Sequence, residues 1–137
     1  MNTTFQDLQN ENNPRNGEAI NDRAAVTSLL EDLRNIQPPF MCQFTGDNGF
    51  NVIVGIDHDF GCAQYSSNDG MPPFLMAVSR IGPSDRSDME FLVGDTPTPI
   101  DGRYRVPFDE VRVIAAEFVT TGQRSSKVSW EQLDPAG

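Results

Sequence analysis

Two stretches of the chain carry apolar residues at helical spacing. Val26, Leu29, Leu30, Leu33 and Ile36 recur every three or four positions, with Glu31, Asp32 and Arg34 on the remaining faces. Asp22 precedes them as an N-cap, because its carboxylate can accept from first-turn amides. Pro38 and Pro39 stop the helix. The second stripe is Phe108, Val111, Ala115, Phe118 and Val119, with Arg112 and Glu117 facing outward. Pro107 suits its first helical position, Asp109 and Glu110 complement the dipole of its first turn, and Gly122 caps its end.

Between the helices the pattern shortens to that of strands. Phe40 to Phe44 and Phe50 to Ile56 flank the turn-rich Thr45-Gly46-Asp47-Asn48-Gly49 and make a hairpin. Phe60 to Tyr65 is a third strand, ended by Ser66 to Gly70, and Phe74 to Val78 is a fourth. A polar loop from Gly82 to Asp88 leads to a fifth, Glu90 to Val93. Thr96-Pro97-Thr98-Pro99 cannot be a central strand, because two prolines remove ladder donors. Arg103 to Val106 reads as a short edge strand. From Lys127 to Leu133, Val128, Trp130 and Gln132 alternate with polar neighbours as a last strand. Consecutive strands joined by tight turns, framed by two helices, predict an α+β domain. Its antiparallel sheet has about five to six strands, with an N-terminal and a C-terminal helix packed on it.

Residues 1–17 are rich in Asn, Gln, Glu and Thr, with Phe5 and Leu8 as the bulky apolar side chains. That composition predicts a disordered tail before a domain at 18–133, and a second short tail at 134–137. The start lacks the basic and apolar segments of a secretory signal, which points to the cytoplasm. A length of 137 residues is one domain's worth, and no apolar run approaches the ~20 residues of a membrane span.

Charge changes the picture more than length does. Twenty acids stand against ten bases, for a net −10, and nine of the ten bases are arginine. Such a chain is repelled by nucleic-acid phosphates and anionic lipid, and attracted to basic proteins. The excess is concentrated: Asp57 to Asp101 holds eight acids and two bases. An acidic rim there would steer a basic partner, although solvation alone accounts for the same count.

Candidate chemistry is sparse. Asp57-His58-Asp59 pairs carboxylates with the single histidine, the raw material of acid–base work or of a metal site. A metal would also need Cys42, Cys62 or further carboxylates, and the triplet reads equally as a solvated turn between strands. No glycine loop precedes a helix to cradle phosphate, and no Gly-x-Ser-x-Gly elbow occurs. Cys42 and Cys62 sit in apolar, strand-like text and read as free buried thiols. No cofactor, metal or small-molecule substrate is expected, and the phenylalanines read as core.

Met89-Glu90-Phe91-Leu92-Val93-Gly94-Asp95, Tyr104-Arg105-Val106-Pro107-Phe108-Asp109-Glu110-Val111, Ala115-Ala116-Glu117-Phe118, Thr121-Gly122 and Val128-Ser129-Trp130-Glu131 together resemble a family of bacterial immunity proteins from polymorphic toxin systems, the one numbered first among them. The helix ending at Leu33, Val52-Ile53-Val54-Gly55 and the strand with Gly61 extend the resemblance over about Asp22 to Leu133. It implies a non-catalytic inhibitor that protects the producing cell by binding a toxin; many of the family's toxins carry nucleic-acid deaminase domains, and a DNA deaminase is the expected target here. A basic substrate groove would be occluded by an acidic protein. The resemblance carries over no catalytic residue. Charge and expected exposure select Asp57, Asp59, Asp85, Asp88, Glu90, Asp95 and Asp101 as contacts, with Arg86 and Tyr104 as supporting anchors. A nuclease toxin, or a small acid–base enzyme built on Asp57 and His58, are the alternatives.

Overall fold

A computed structural model describes residues 2–82 and 85–133. Met1, Pro83, Ser84 of the polar middle loop and the expected tail at 134–137 lie outside the described residues. The elements run β1 (Thr3–Asp7), α1 (Arg23–Leu33), β2 (Met41–Gly46), β3 (Phe50–Asp57), β4 (Phe60–Ser67), β5 (Phe74–Val78), β6 (Met89–Val93), β7 (Thr96–Ile100), a 3₁₀ turn (Gly102–Tyr104), β8 (Val106–Pro107), α2 (Phe108–Thr121) and β9 (Ser129–Gln132). The main sheet has the order β1-β2-β3-β4-β5-β9, with β8 also paired to β4, and each pairing is antiparallel. β6 and β7 form a separate two-stranded ribbon. The architecture is the expected α+β fold. Among the described residues no helix is long and apolar enough to cross a membrane.

Strand alternation divides the core in two. Phe5, Phe44, Val52, Tyr65 and Leu75 lie opposite one another across five strands. They pack with Leu29 and Leu30 of α1 and with Ile114 and Phe118 of α2. The other face carries Met41, Cys62 and Met76, which Met89 and Phe91 of the ribbon cover. The ribbon sits close because β3 offers a glycine there. A Cβ at Gly55 would come within 2.8 Å of the Phe91 ring.

Local chemistry sets the helix ends. The Asp22 carboxylate accepts from the Ala25 amide at 2.8 Å. Gly122 closes α2 with φ 73°, and its amide donates to the Phe118 carbonyl at 2.7 Å. Pro107 stands one position before the helix rather than in it. Cys42 and Cys62 are free and buried, as expected.

Three further expectations need correction. Thr3–Asp7, expected within a disordered tail, is a strand of the main sheet. Phe5 is 1% exposed, and residues 17–20 bond its outer edge: the Phe5 amide donates to Glu18, and the Gly17 amide to Phe5. The asparagines that suggested disorder are hydrogen-bonding groups of the loop that follows. The Asp7 carboxylate accepts from the Gln9 and Asn10 amides and from the Asn13 side chain. Arg103 to Val106, expected as an edge strand, is the end of the 3₁₀ turn followed by β8. The Asp101 carboxylate accepts from the Arg103 amide and starts that turn. Ile36, placed on the apolar stripe of α1, lies past the helix end and is 43% exposed. Thr96–Ile100 is β7, and its prolines lie in a two-stranded ribbon, in keeping with their exclusion from a central position.

Candidate partner-binding surface

Asp57 and Phe60 pair across the tip of the β3–β4 hairpin, leaving His58 and Asp59 as its turn, with φ 54° at His58. The turn is pinned to the end of α1 by Arg34. Its Nε donates to the His58 carbonyl at 3.1 Å, its Nη2 reaches the Asp59 carboxylate at 3.0 Å, and its guanidinium lies 3.9 Å over the Phe108 ring. Asp59 is therefore exposed but compensated. Gln37 donates to Asp57 at 3.0 Å. The imidazole of His58 meets the Asn35 side chain at Nδ1 and that of Gln37 at Nε2, with Asp57 4.0 Å away. Among the described residues it joins no cluster of three His, Cys, Asp or Glu groups. The geometry is that of an amide-braced turn.

Asp85, Arg86, Asp88, Asp101 and Tyr104 are brought together where the loop before β6 crosses the 3₁₀ turn. The Gly102 amide donates to Asp88 at 3.1 Å. A Cβ at Gly102 would stand 1.8 Å from the Arg86 carbonyl oxygen, so the two segments touch backbone to backbone. Asp85 accepts from the amide and hydroxyl of Ser87, which hold its carboxyl below the usual range, with Arg105 adding to the effect. Arg105 donates to the Ser87 carbonyl at 2.9 Å and lies 3.8 Å over the Phe60 ring, tying this cluster to the hairpin.

Tyr104 is not a free anchor. Its hydroxyl donates to Glu131 at 3.2 Å, and its ring packs against the ribbon-side core. Burial and the Glu131 charge raise its pKa. Glu90 is exposed on β6, opposite Pro99. Asp95 lies apart, in the β6–β7 turn with φ 65°. Its carboxylate accepts from the Gln9 side chain at 2.6 Å, and its amide donates back to Gln9 at 2.7 Å. Among the described residues no Lys or Arg side-chain nitrogen lies within 4.0 Å of the carboxylates of Asp57, Asp88, Glu90, Asp95 or Asp101.

One feature of this side escaped the reading by charge. Ile36, Pro38, Phe40 and Leu92 line a groove beside the loop that follows β1. Its signal in the sequence was Ile36, an apolar residue just past a helix and directly before prolines.

No curated protein matches the chain as a relative. The family model described as Immunity protein Imm1 matches residues 15–132, from the loop after β1 through β9, and the chain therefore belongs to the Imm1 family of immunity proteins.

Proposed function

We propose that this immunity protein neutralises a toxin that deaminates nucleic acid, DNA in the first place, by covering its substrate site in the cytoplasm of the producing cell. Family membership makes a toxin the partner. The observation that supports the finer reading is the set of carboxylates that, among the described residues, form no ion pair with a Lys or Arg: Asp57, Asp88, Glu90, Asp95 and Asp101. They sit on turns and on the ribbon, where a partner can reach them, and backbone or amide contacts brace four of them. An enzyme that acts on nucleic acid needs a basic groove, and fixed carboxylates complement it with little ordering cost. Asp59 and Asp85 contribute field rather than free charge, Arg86 offers an exposed cation beside them, and Tyr104 acts from beneath as a positioning residue.

The test is inhibition of the toxin domain encoded with this protein, assayed on single-stranded DNA. Full inhibition at one-to-one stoichiometry, relieved by excess DNA, is the expected result. Inhibition insensitive to DNA would overturn occlusion. A partner that cleaves nucleic acid without deaminating it would replace the deaminase with a nuclease. Loss of protection in His58→Ala, with the fold intact, would revive the acid–base reading.

A further inference from the structure

The groove at Ile36 combines two properties. Ile36, Pro38, Phe40 and Leu92 give it an apolar part, and Asp7, Gln9, Asn10, Asn13 and Gln37 complete the lining of about 280 Å³. Each of those two glutamines also holds a carboxylate. Gln37 donates to Asp57 at 3.0 Å and Gln9 donates to Asp95 at 2.6 Å. The hollow that adjoins it along residues 6–12 adds Glu11 and again Asp95. Neither lining contains a lysine or an arginine. Arg34, near it in the chain, is committed to Glu31, Asp59 and the His58 carbonyl, and Arg15, whose amide donates to the lining residue Asn13, is committed to Glu18 and Asp32.

An occupant must satisfy both properties. A purely apolar side chain would cover the apolar part but strip water from the Asp7 carboxylate and the amide side chains of the lining without compensation. A phosphate or an acidic peptide would meet like charge. A long basic side chain satisfies both, because its methylene stem lies on apolar surface while its head stays with the carboxylates. Guanidinium is favoured over ammonium: it is less strongly hydrated, stacks on aromatic rings such as Phe40, and meets carboxylates through two bonds. We propose that this groove receives an arginine of the toxin, with its stem on Ile36 and Leu92 and its guanidinium drawn to the acidic rim, where Asp57 stands behind Gln37 and Asp95 behind Gln9. The inference rests on the toxin-binding reading above, and names the anchor point within it.

Two measurements separate the two claims. The first uses the toxin domain. Asp57→Asn and Asp95→Asn with Ile36→Ser removes the charge and part of the apolar lining while keeping residues suited to the turn at position 95. Its affinity should fall about 100-fold, mainly through faster dissociation. Asp47→Asn with Asp69→Asn removes two charges at the opposite end of the β3–β4 hairpin and should leave the dissociation rate unchanged. If wild type binds and the groove variant binds equally well, the groove is not the anchor and toxin binding stands. If wild type binds no toxin, the parent reading falls and this one with it. The second needs no toxin. N-acetyl-arginine amide, titrated into the full chain at millimolar concentration, should shift the NMR amide signals of Ile36, Gln37, Leu92 and Asp95, and N-acetyl-glutamine amide should not. Equal shifts with both compounds, or none with either, would overturn the proposal.

Discussion

Arg105 lies over the Phe60 ring, its guanidinium carbon 3.8 Å from the ring centroid. The same group donates to the Ser87 carbonyl and stands 3.8 Å from the Asp85 carboxylate. One side chain thus joins β4, β8 and the loop before β6. Among the described residues its buried Nε has no hydrogen-bond partner, while the ring and the loop hold the rest of the side chain.

Replacing Arg105 with alanine should therefore release the loop more than the sheet. The expected cost is about 2 kcal/mol, from a desolvated cation–π contact and lost stem packing. Amide exchange at Ser87 and Asp88 should quicken, while that of β3 and β4 changes little. Arg105→Lys should recover only part, since an ammonium cannot both cover the ring and reach Ser87. Unchanged exchange at Ser87 in the alanine variant would show that the loop is held by something else.

Glycines give a second, sharper contrast. A Cβ at Gly61 would meet the Gly55 carbonyl oxygen at 2.0 Å inside the β3–β4 ladder. One at Gly102 would meet the Arg86 carbonyl oxygen at 1.8 Å, between two surface segments. Gly61→Ala should cost about 3 kcal/mol, because central strands cannot part locally. Gly102→Ala should cost less, as the loop can lift away, but it should slow association with the toxin by displacing Asp85, Asp88 and Asp101. Urea unfolding and association kinetics, measured on both variants, separate the two effects.

What could be read in advance followed from local chemistry. The second helix was legible because its charged first turn and Gly122 act within a few residues of themselves. Phe74–Val78 was legible because an apolar run between turns has few other places to go. β1 was not, because what orders Phe5 is the ring of Phe44, 6.0 Å away, and a segment that folds back at 17–20. Ile36 reads as helical because its spacing continues in the sequence after the helix has ended at Leu33. The acidic middle was legible as a charge count. Which acids are compensated was not, because Asp59 meets Arg34 and Asp85 meets Arg105 across 25 and 20 positions of chain.

The reassigned N-terminal strand yields a direct prediction. Phe5 is buried in the helix-side core, so Phe5→Ala should destabilise the domain by about 3–5 kcal/mol. Removal of residues 1–7 should do at least as much, since it also strips the edge of β2. In a disordered tail both changes would be silent. The shift in the urea midpoint reports the difference, and protection of the Phe5 amide, which donates to Glu18 at 3.0 Å, gives an independent check.

The buried thiols set how the protein responds to alkali. Burial pushes the Cys62 thiol from an ordinary 9.0 up to about 12, and raises Cys42 for the same reason, with the Asp7 and Cys62 charges adding to it. The folded state therefore keeps protons that the unfolded chain releases near pH 9. This stabilisation is complete below that pH and is lost as pH rises toward 12. Each thiol should contribute a slope of at most about 1.4 kcal/mol per pH unit across the window. Tyr65 and Tyr104, raised mainly by burial, steepen it further. Cys62→Ala should flatten the curve by up to one thiol's share without moving its lower limit. A thiol reagent at pH 8 should leave the folded protein unlabelled and label two groups in urea. Prompt labelling of the folded chain would mean that the strand centre opens readily, and the alkaline slope should then be shallow as well.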